Sequence, residues 1–268
     1  QYRPLTADFE YNISNPTWSA DSKTIYFITC REALTHIYSY QLANGKIKQI
    51  TDGQYDYTGF DMNDKGVCVA SRQAMTYPTE LYMVNLNNGK ATALTEEDKP
   101  IMSQLGDLTC EKRWMPTTDG GKMLTWVLYP PHFDKSKQYP SILYCQGGPQ
   151  STISQFWSYR WNPRIMAEQG YIVILPNRHD VPGFGKAWNE QISGDYSGQN
   201  IRDYLTAADL MKQEPFIAPD RMGAVGASYG GYSVYYLAGV HEGRFAAFIA
   251  HAGIFNLEAQ YLETEEKW

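Results

Sequence analysis

Residues 37–51, IYSYQLANGKIKQIT, and residues 81–95, LYMVNLNNGKATALT, are identical at six of fifteen positions at an offset of 44, where unrelated stretches would share about one. Each copy reads as a strand, an Asn-Gly turn and a second strand, and a period in the forties restricts the fold to few architectures. Asn44-Gly45 and Asn88-Gly89 supply the left-handed residues that a tight hairpin demands. A further strand pair precedes each copy: NPTWSADSKTIYFITC, turning at Ala20 to Lys23, and TGFDMNDKGVCVAS, turning at Asn63 to Gly66. Four strands per unit fit the blade of a β-propeller better than a sandwich; the bland alternative is two unrelated hairpins that happen to match. Two blades are visible where such a ring closes with about four to eight, so the sequence is expected to begin inside a propeller.

Beyond TEEDKP (95–100) the texture changes. KRWMPTTDGGKMLTWVLYPP (112–131) predicts a hairpin turning at Asp119-Gly120-Gly121, and short apolar strands then alternate with helical stretches. The strands are SILYC (141–145), YIVIL (171–175), MGAVGA (222–227) and AAFIAHA (246–252). Between the second and third, residues 200–213 place Ile201, Tyr204, Leu205, Ala208 and Met211 on one helical face. Apolar strands separated by helices indicate a mostly parallel sheet buried on both sides.

In that setting GAVGASYGG (223–231) sits where a buried strand passes into an apolar helix, as a nucleophile elbow requires. Ser228 is then the nucleophile. Gly226 and Gly230 are glycines because neighbours two positions from so sharp a turn come too close for a side chain. Gly231 lets the helix pack on the sheet, and the Tyr229 N–H at the helix start can face a developing oxyanion. A second oxyanion donor is expected from the CQGGPQ loop (145–150), from the Gln146 side chain or the backbone of Gly147 or Gly148. The competing reading is a glycine-rich turn with a passive serine.

Bulk composition narrows the partners. With 268 residues, 43% hydrophobic and 19% charged, the chain is globular, and a net charge of −6 lacks the basic footprint that nucleic acid or anionic lipid would attract. The longest apolar runs fall far short of a membrane span. Cys30, Cys68, Cys110 and Cys145 form no C-x-x-C, so neither a zinc site nor a redox pair is signalled, and buried free thiols are expected. No metal and no cofactor is implied. The chain opens on Gln1, without an initiator methionine or a signal sequence, so its N-terminus is expected to be processed or cut and its compartment stays open. Homo-oligomerisation is left open as well.

Taken together, the repeat, YPPHFDKSKQYPSILYCQGGPQ, GYIVILPNR followed by PGFG, and GASYGGY resemble the prolyl oligopeptidase family of serine peptidases. CQGGPQS, FWSYRWNP and WNEQISGDYSGQN look closest to its branch of type V dipeptidyl-peptidases and acylaminoacyl peptidases. The resemblance implies an α/β-hydrolase fold preceded by β-propeller blades, with residues 1–106 as about two blades and 107–268 as the N-terminal part of the catalytic domain. It implies an enzyme acting on peptides, releasing N-terminal dipeptides through an acyl-enzyme at Ser228, and a periplasmic or secreted location. Acylaminoacyl or general oligopeptidase activity is the runner-up, and a catalytically dead interaction protein of the same fold the alternative of another class. Where the family often has a tyrosine before the Gly-Gly of the third-strand loop, this chain has Gln146. Relatives tend to carry arginine and glycine at His179 and Asp180, and that loop is assigned no role. GIFNLEAQY (253–261) falls where relatives build the pocket for the residue before the scissile bond, so Phe255, Leu257 and Tyr261 either line it or belong to the core.

A serine nucleophile needs a base and an orienting carboxylate, which follow it in the order Ser, Asp, His in α/β-hydrolases. Forty residues follow Ser228, and the family's acid and base are expected past Trp268. His36, His132 and His179 precede the serine. His241 ends the helix after the elbow, and His251 ends the next strand and reads as a hydrogen-bonded neighbour of the pocket, not the base. Glu258, Glu263, Glu265 and Glu266 read as a solvated helix face. The chain by itself is expected to be an inactive part of a longer peptidase.

Overall fold

The computed structural model describes residues 3–264. Within the stretch up to Leu105 the chain forms two four-stranded antiparallel meanders. The first contains β1 (Ser14–Trp18), β2 (Thr24–Arg31), β3 (Leu34–Gln41) and β4 (Ile47–Gln49). The second contains β5 (Asp56–Met62), β6 (Cys68–Ala74), β7 (Tyr77–Val84) and β8 (Ala91–Ala93), and the short helix α1 (Lys99–Met102) follows. The repeat survives in the register: Tyr38 pairs with Gln49 in the first, and Tyr82 with Ala93 in the second, at the same offset of 44. Ile28 and Ile37 of one blade join Tyr57, Phe60 and Val84 of the other in a shared core.

The hairpin turns differ from expectation. Gln41 N donates to Lys46 O (3.0 Å) and Asn85 N to Lys90 O (2.9 Å), so each loop holds four residues, and of each Asn-Gly pair only the glycine is left-handed (Gly45 φ 69°, Gly89 φ 75°). The asparagines act through their side chains instead. Asn44 Oδ1 accepts from Lys46 N and Asn88 Oδ1 from Lys90 N, both at 3.0 Å, closing the loop as an Asx turn does. A Cβ on Gly89 would also strike the Ile50 carbonyl of the neighbouring blade.

Two later segments, Ser154–Asn162 and Pro182–Lys186, belong to this same compact unit. Asp56, at the start of β5, fixes one of them. Its carboxyl accepts from Thr35 N (2.9 Å) and from Ser154 Oγ (2.5 Å), while Gln155 Oε1 accepts from Met75 N (3.2 Å). Burial pushes the Asp56 carboxyl up to about 6.

The remaining chain forms a second unit around a six-stranded sheet in the order β14-β13-β11-β12-β10-β9. β9 (Thr109–Pro116) and β10 (Lys122–Tyr129) form the antiparallel hairpin, and β11 (Tyr139–Cys145), β12 (Ile172–Pro176), β13 (Ile217–Ala227) and β14 (Ala247–His251) run parallel. Every residue of β12 is buried, as an inner strand covered on both faces must be. Helices α2 (Pro163–Glu168), α3 (Lys186–Asn189), α4 (Gln199–Lys212), α5 (Tyr229–Val240) and α6 (Leu257–Glu263) connect or follow the strands. Ile201, Tyr204, Ala208 and Met211 of α4 meet Val127, Leu143, Ile174 and Ala224 of the sheet in one core. Three polar residues at the start of α4, Gln199, Asn200 and Asp203, are buried as well, Asp203 fully. Among the described residues no helix is long and apolar enough to cross a membrane.

Candidate active site

β13 ends at Ala227, α5 begins at Tyr229, and Ser228 is the single residue between them. Its backbone is held at φ 57°, ψ −124°, a conformation costly for a residue with a side chain. Two main-chain bonds enforce it: Ser228 N donates to His251 O, and Tyr232 N donates to Ser228 O, each at 3.0 Å. The side chain makes no capping bond and is exposed. The flanking glycines are required by close approach. A Cβ on Gly226 would collide with the Gly230 carbonyl and lie 2.8 Å from Cys145 O, and one on Gly230 would collide with that same Cys145 carbonyl. A Cβ on Gly231 would lie 2.7 Å from Gly253 Cα, so this glycine brings α5 against the chain leaving β14.

Cys145 ends β11, and the CQGGPQ loop therefore starts beside the elbow. A Cβ on Gly147 would stand 3.0 Å from Ala227 O and 3.7 Å from Ser228 Cβ, which places this residue next to the serine. Gln146 is committed elsewhere. Its N–H donates to Tyr204 Oη (3.1 Å) and its Nε2 to Ser151 Oγ (3.1 Å), within its own loop. Backbone at Gly147 therefore stands beside Ser228, and Gly148 follows it at φ 122°. The Tyr229 N–H is in the first turn of α5, where amides lack intrahelical acceptors.

Behind the loop and the elbow lies a buried polar cluster that sequence reasoning passed over. Asn177, Arg178, His179 and Asp180 follow β12 directly, and all four are buried. The Arg178 guanidinium donates from Nε to Tyr204 Oη (3.1 Å), from Nη1 to His179 O (2.7 Å) and Asp180 Oδ2 (3.4 Å), and from Nη2 to Pro149 O (3.0 Å). It lies 4.9 Å from the centre of the Tyr229 ring. Asp180 also accepts from Asn200 Nδ2 (2.7 Å), and burial pushes its carboxyl up to about 6 against the pull of Arg178. Asn200 donates in turn to Tyr229 Oη, which donates to Tyr196 O, both at 2.5 Å. The loop assigned no role thus reaches the CQGGPQ loop at Pro149 and the elbow at Tyr229. The available signal was four polar residues at the carboxyl end of a wholly apolar strand, where α/β sheets build their sites.

His179 is held within that cluster. Its Nδ1 faces Asp203 Oδ2 at 2.6 Å, its Nε2 faces Asp119 Oδ2 at 3.3 Å, and its ring stacks on Trp188 at 3.5 Å. This accounts for the buried Asp203 on α4. Of the other histidines, His36 is buried in β3 beside Thr51, His132 lies in an exposed loop, and His241 accepts from Phe245 N at the end of α5. His251 ends β14 next to Ala227, exposed, with its carbonyl on Ser228 N. Phe255, Leu257 and Tyr261 are exposed, Phe255 at 88%, and its ring meets Tyr235 edge to face. None of the three belongs to the core. Glu258 and Glu263 are exposed on α6, whereas Glu265 and Glu266 lie outside the described residues. Among the described residues no group of three or more His, Cys, Asp or Glu side chains could hold a metal ion.

Residues 157–268 match the prolyl oligopeptidase family, and residues 5–108 match the N-terminal region of dipeptidyl peptidase IV. The chain belongs to the prolyl oligopeptidase family. It is 71% identical to a dipeptidyl-peptidase 5 of Porphyromonas endodontalis over 245 residues, which cover 91% of this chain and 35% of that protein. It is 64% identical to a dipeptidyl-peptidase 5 of Porphyromonas gingivalis over 260 residues, covering 97% of this chain and 38% of that protein. The chain therefore spans little more than a third of the length of these family members. In fold it is similar to a solved acylaminoacyl peptidase of Pyrococcus horikoshii, with a TM-score of 0.87 at 20% identity over all of this chain and 41% of that one. It is also similar to dipeptidyl peptidase 4 of Porphyromonas gingivalis, with a TM-score of 0.75 at 18% identity over 95% of this chain and 37% of that one. Propeller blades followed by an α/β-hydrolase sheet are the arrangement of the prolyl oligopeptidase family, and the two units of this chain follow it.

Proposed function

We propose that this chain carries the nucleophile and the oxyanion hole of a serine peptidase that releases dipeptides from the N-termini of peptides. Residues 1–106 are its propeller portion and 107–268 the N-terminal part of its catalytic domain. The observation that carries the reading is the strained backbone of Ser228, exposed at the strand-to-helix turn with Gly147 beside it. Ser228 Oγ attacks the carbonyl carbon of the second residue of the substrate. The carbonyl oxygen gains negative charge and is met by the N–H groups of Tyr229 and Gly147, from the two sides of the turn. Collapse of the tetrahedral intermediate breaks the C–N bond, the leaving amine takes a proton, and water then hydrolyses the acyl-serine ester to free the dipeptide.

The serine proton needs a base. His36, His132, His179 and His241 are placed in the blades, in a loop, in the buried cluster and at a helix end, and His251 meets Ser228 through its carbonyl. The base and its carboxylate are accordingly assigned to polypeptide outside these 268 residues, and the chain by itself is inactive. The identity of 64–71% to proteins named dipeptidyl-peptidase 5 supports dipeptide release over removal of an acylated residue.

The test is fluorophosphonate labelling of the full polypeptide encoded with this chain, followed by mapping of the adduct. Labelling at Ser228, abolished by Ser228→Ala, is the expected result. Labelling elsewhere, or none, favours the dead interaction protein. A panel of free and N-blocked dipeptidyl arylamides then reads the substrate class, with the free-amine substrates cleaved faster. Cleavage of such a substrate by residues 1–268 alone would show that the base lies within them.

A further inference from the structure

Arg178 is a charged side chain with no exposure at all, and such a charge is costly unless the fold gives it something to do. Its one carboxylate neighbour among the described residues, Asp180, stands at 3.4 Å, which is long for an ion pair built to neutralise it. The other acceptors are neutral: Pro149 O, His179 O and Tyr204 Oη. Two of these lead to the proposed oxyanion hole from the loop side. Pro149 closes the Gly-Gly-Pro turn, and Tyr204 Oη is also the acceptor for Gln146 N, at the other end of the same turn. From the elbow side, the guanidinium lies against the ring of Tyr229, whose own N–H is the second donor. One planar fork therefore touches both walls of the hole.

We propose that Arg178 is a positioning residue for the oxyanion hole, fixing the 146–149 loop against Tyr229 and adding a buried positive charge behind the site where the carbonyl oxygen becomes negative. This rests on the reading of Ser228 as nucleophile. Arginine suits the task because its five donors are preorganised in a plane, so one side chain can bind Pro149 O, Tyr204 Oη and Asp180 together while keeping a flat face for the ring. The ammonium of lysine keeps the charge but cannot span these partners.

The test uses the full polypeptide with Arg178→Met, Arg178→Gln and Arg178→Lys, with active sites counted by fluorophosphonate titration so that misfolded material drops out. Removing one oxyanion donor lowers kcat by about 100-fold or more, and loosening both through their common support is expected to cost about 10- to 100-fold per titrated site in the Met and Gln variants. The expected KM change is less than about threefold, with Arg178→Lys intermediate. A dipeptide aldehyde, which forms an oxyanion on Ser228, should weaken in parallel with kcat, while affinity for the dipeptide product stays unchanged; damage to the site in general would weaken both. A kcat per titrated site within about threefold of wild type, in whichever of the three variants folds, overturns the proposal. Hydrogen exchange at residues 146–150 reads the loop even if Ser228 never reacts. Faster exchange in the variants is expected, and unchanged exchange overturns the proposal, whereas failure of the wild-type protein to label at Ser228 overturns the peptidase reading alone.

Discussion

Ser228 occupies a backbone conformation that an L-residue avoids, and its neighbours show how the fold enforces it. Gly226 and Gly230 sit against carbonyl oxygens that are themselves part of β11 and α5, so neither can give way. Gly226→Ala and Gly230→Ala are expected to lower the unfolding free energy by at least about 2 kcal/mol and to abolish fluorophosphonate labelling. Gly239, in the same helix, has open space where a Cβ would go, and Gly239→Ala is expected to stabilise by up to about 1 kcal/mol with labelling unchanged. Denaturant titration of the three variants checks the contrast. The serine and its glycines were legible in the sequence because the geometry of one turn restricts residue type within nine consecutive positions. Arg178 was not, because its partners Pro149, Tyr204 and Tyr229 come from three separate elements and meet only when the sheet is formed. The Gln146 side chain, one of the oxyanion donors the sequence offered beside the backbone of Gly147 or Gly148, bonds Ser151 through a contact that no spacing rule anticipates.

At the level of elements, the strands and the four-strand meanders could be read from alternation and from the 44-residue repeat, and the pairing register repeats with the same period. The turns were misread in detail. The Asn-Gly signal is shared by two-residue and longer loops, and the choice depends on hydrogen bonds from Asn44 and Asn88 side chains. The repeat also hides an asymmetry. Gly45 has only Tyr40 Oη nearby, at 3.5 Å, while Gly89 faces the backbone of Ile50. Gly45→Ala should therefore cost about 1 kcal/mol, for the left-handed conformation alone, and Gly89→Ala about 3 kcal/mol or more. Equal losses in thermal or denaturant unfolding would show that the two blades do not meet at Ile50.

Across the whole molecule, two buried groups in the unit that holds the blades respond to acid in opposite senses. Burial lowers His36 to about 4, so between pH 4 and 6.5 the unfolded chain binds a proton that the folded one refuses, and stability from this group rises with pH. Burial raises Asp56 to about 6, so between about pH 4 and 6 the folded chain keeps a proton that the unfolded one has lost, and stability from this group falls with pH. Each change is on the order of 3 kcal/mol, and over the shared window they offset. Relative to the parent, Asp56→Asn should unfold at increasing denaturant concentration as pH rises from 4 to 6, and His36→Gln at decreasing concentration; parallel profiles would sink the idea. Cys145 offers a different kind of consequence. Its carbonyl crowds both elbow positions so that only glycine fits, and its buried thiol resists ionisation because solvent cannot reach it. Alkylating agents and mild oxidants depend on a thiolate, so this sulfur is expected to react with them slowly while the fold is intact, and the 146–149 loop that follows it to keep its shape as redox conditions around the protein change.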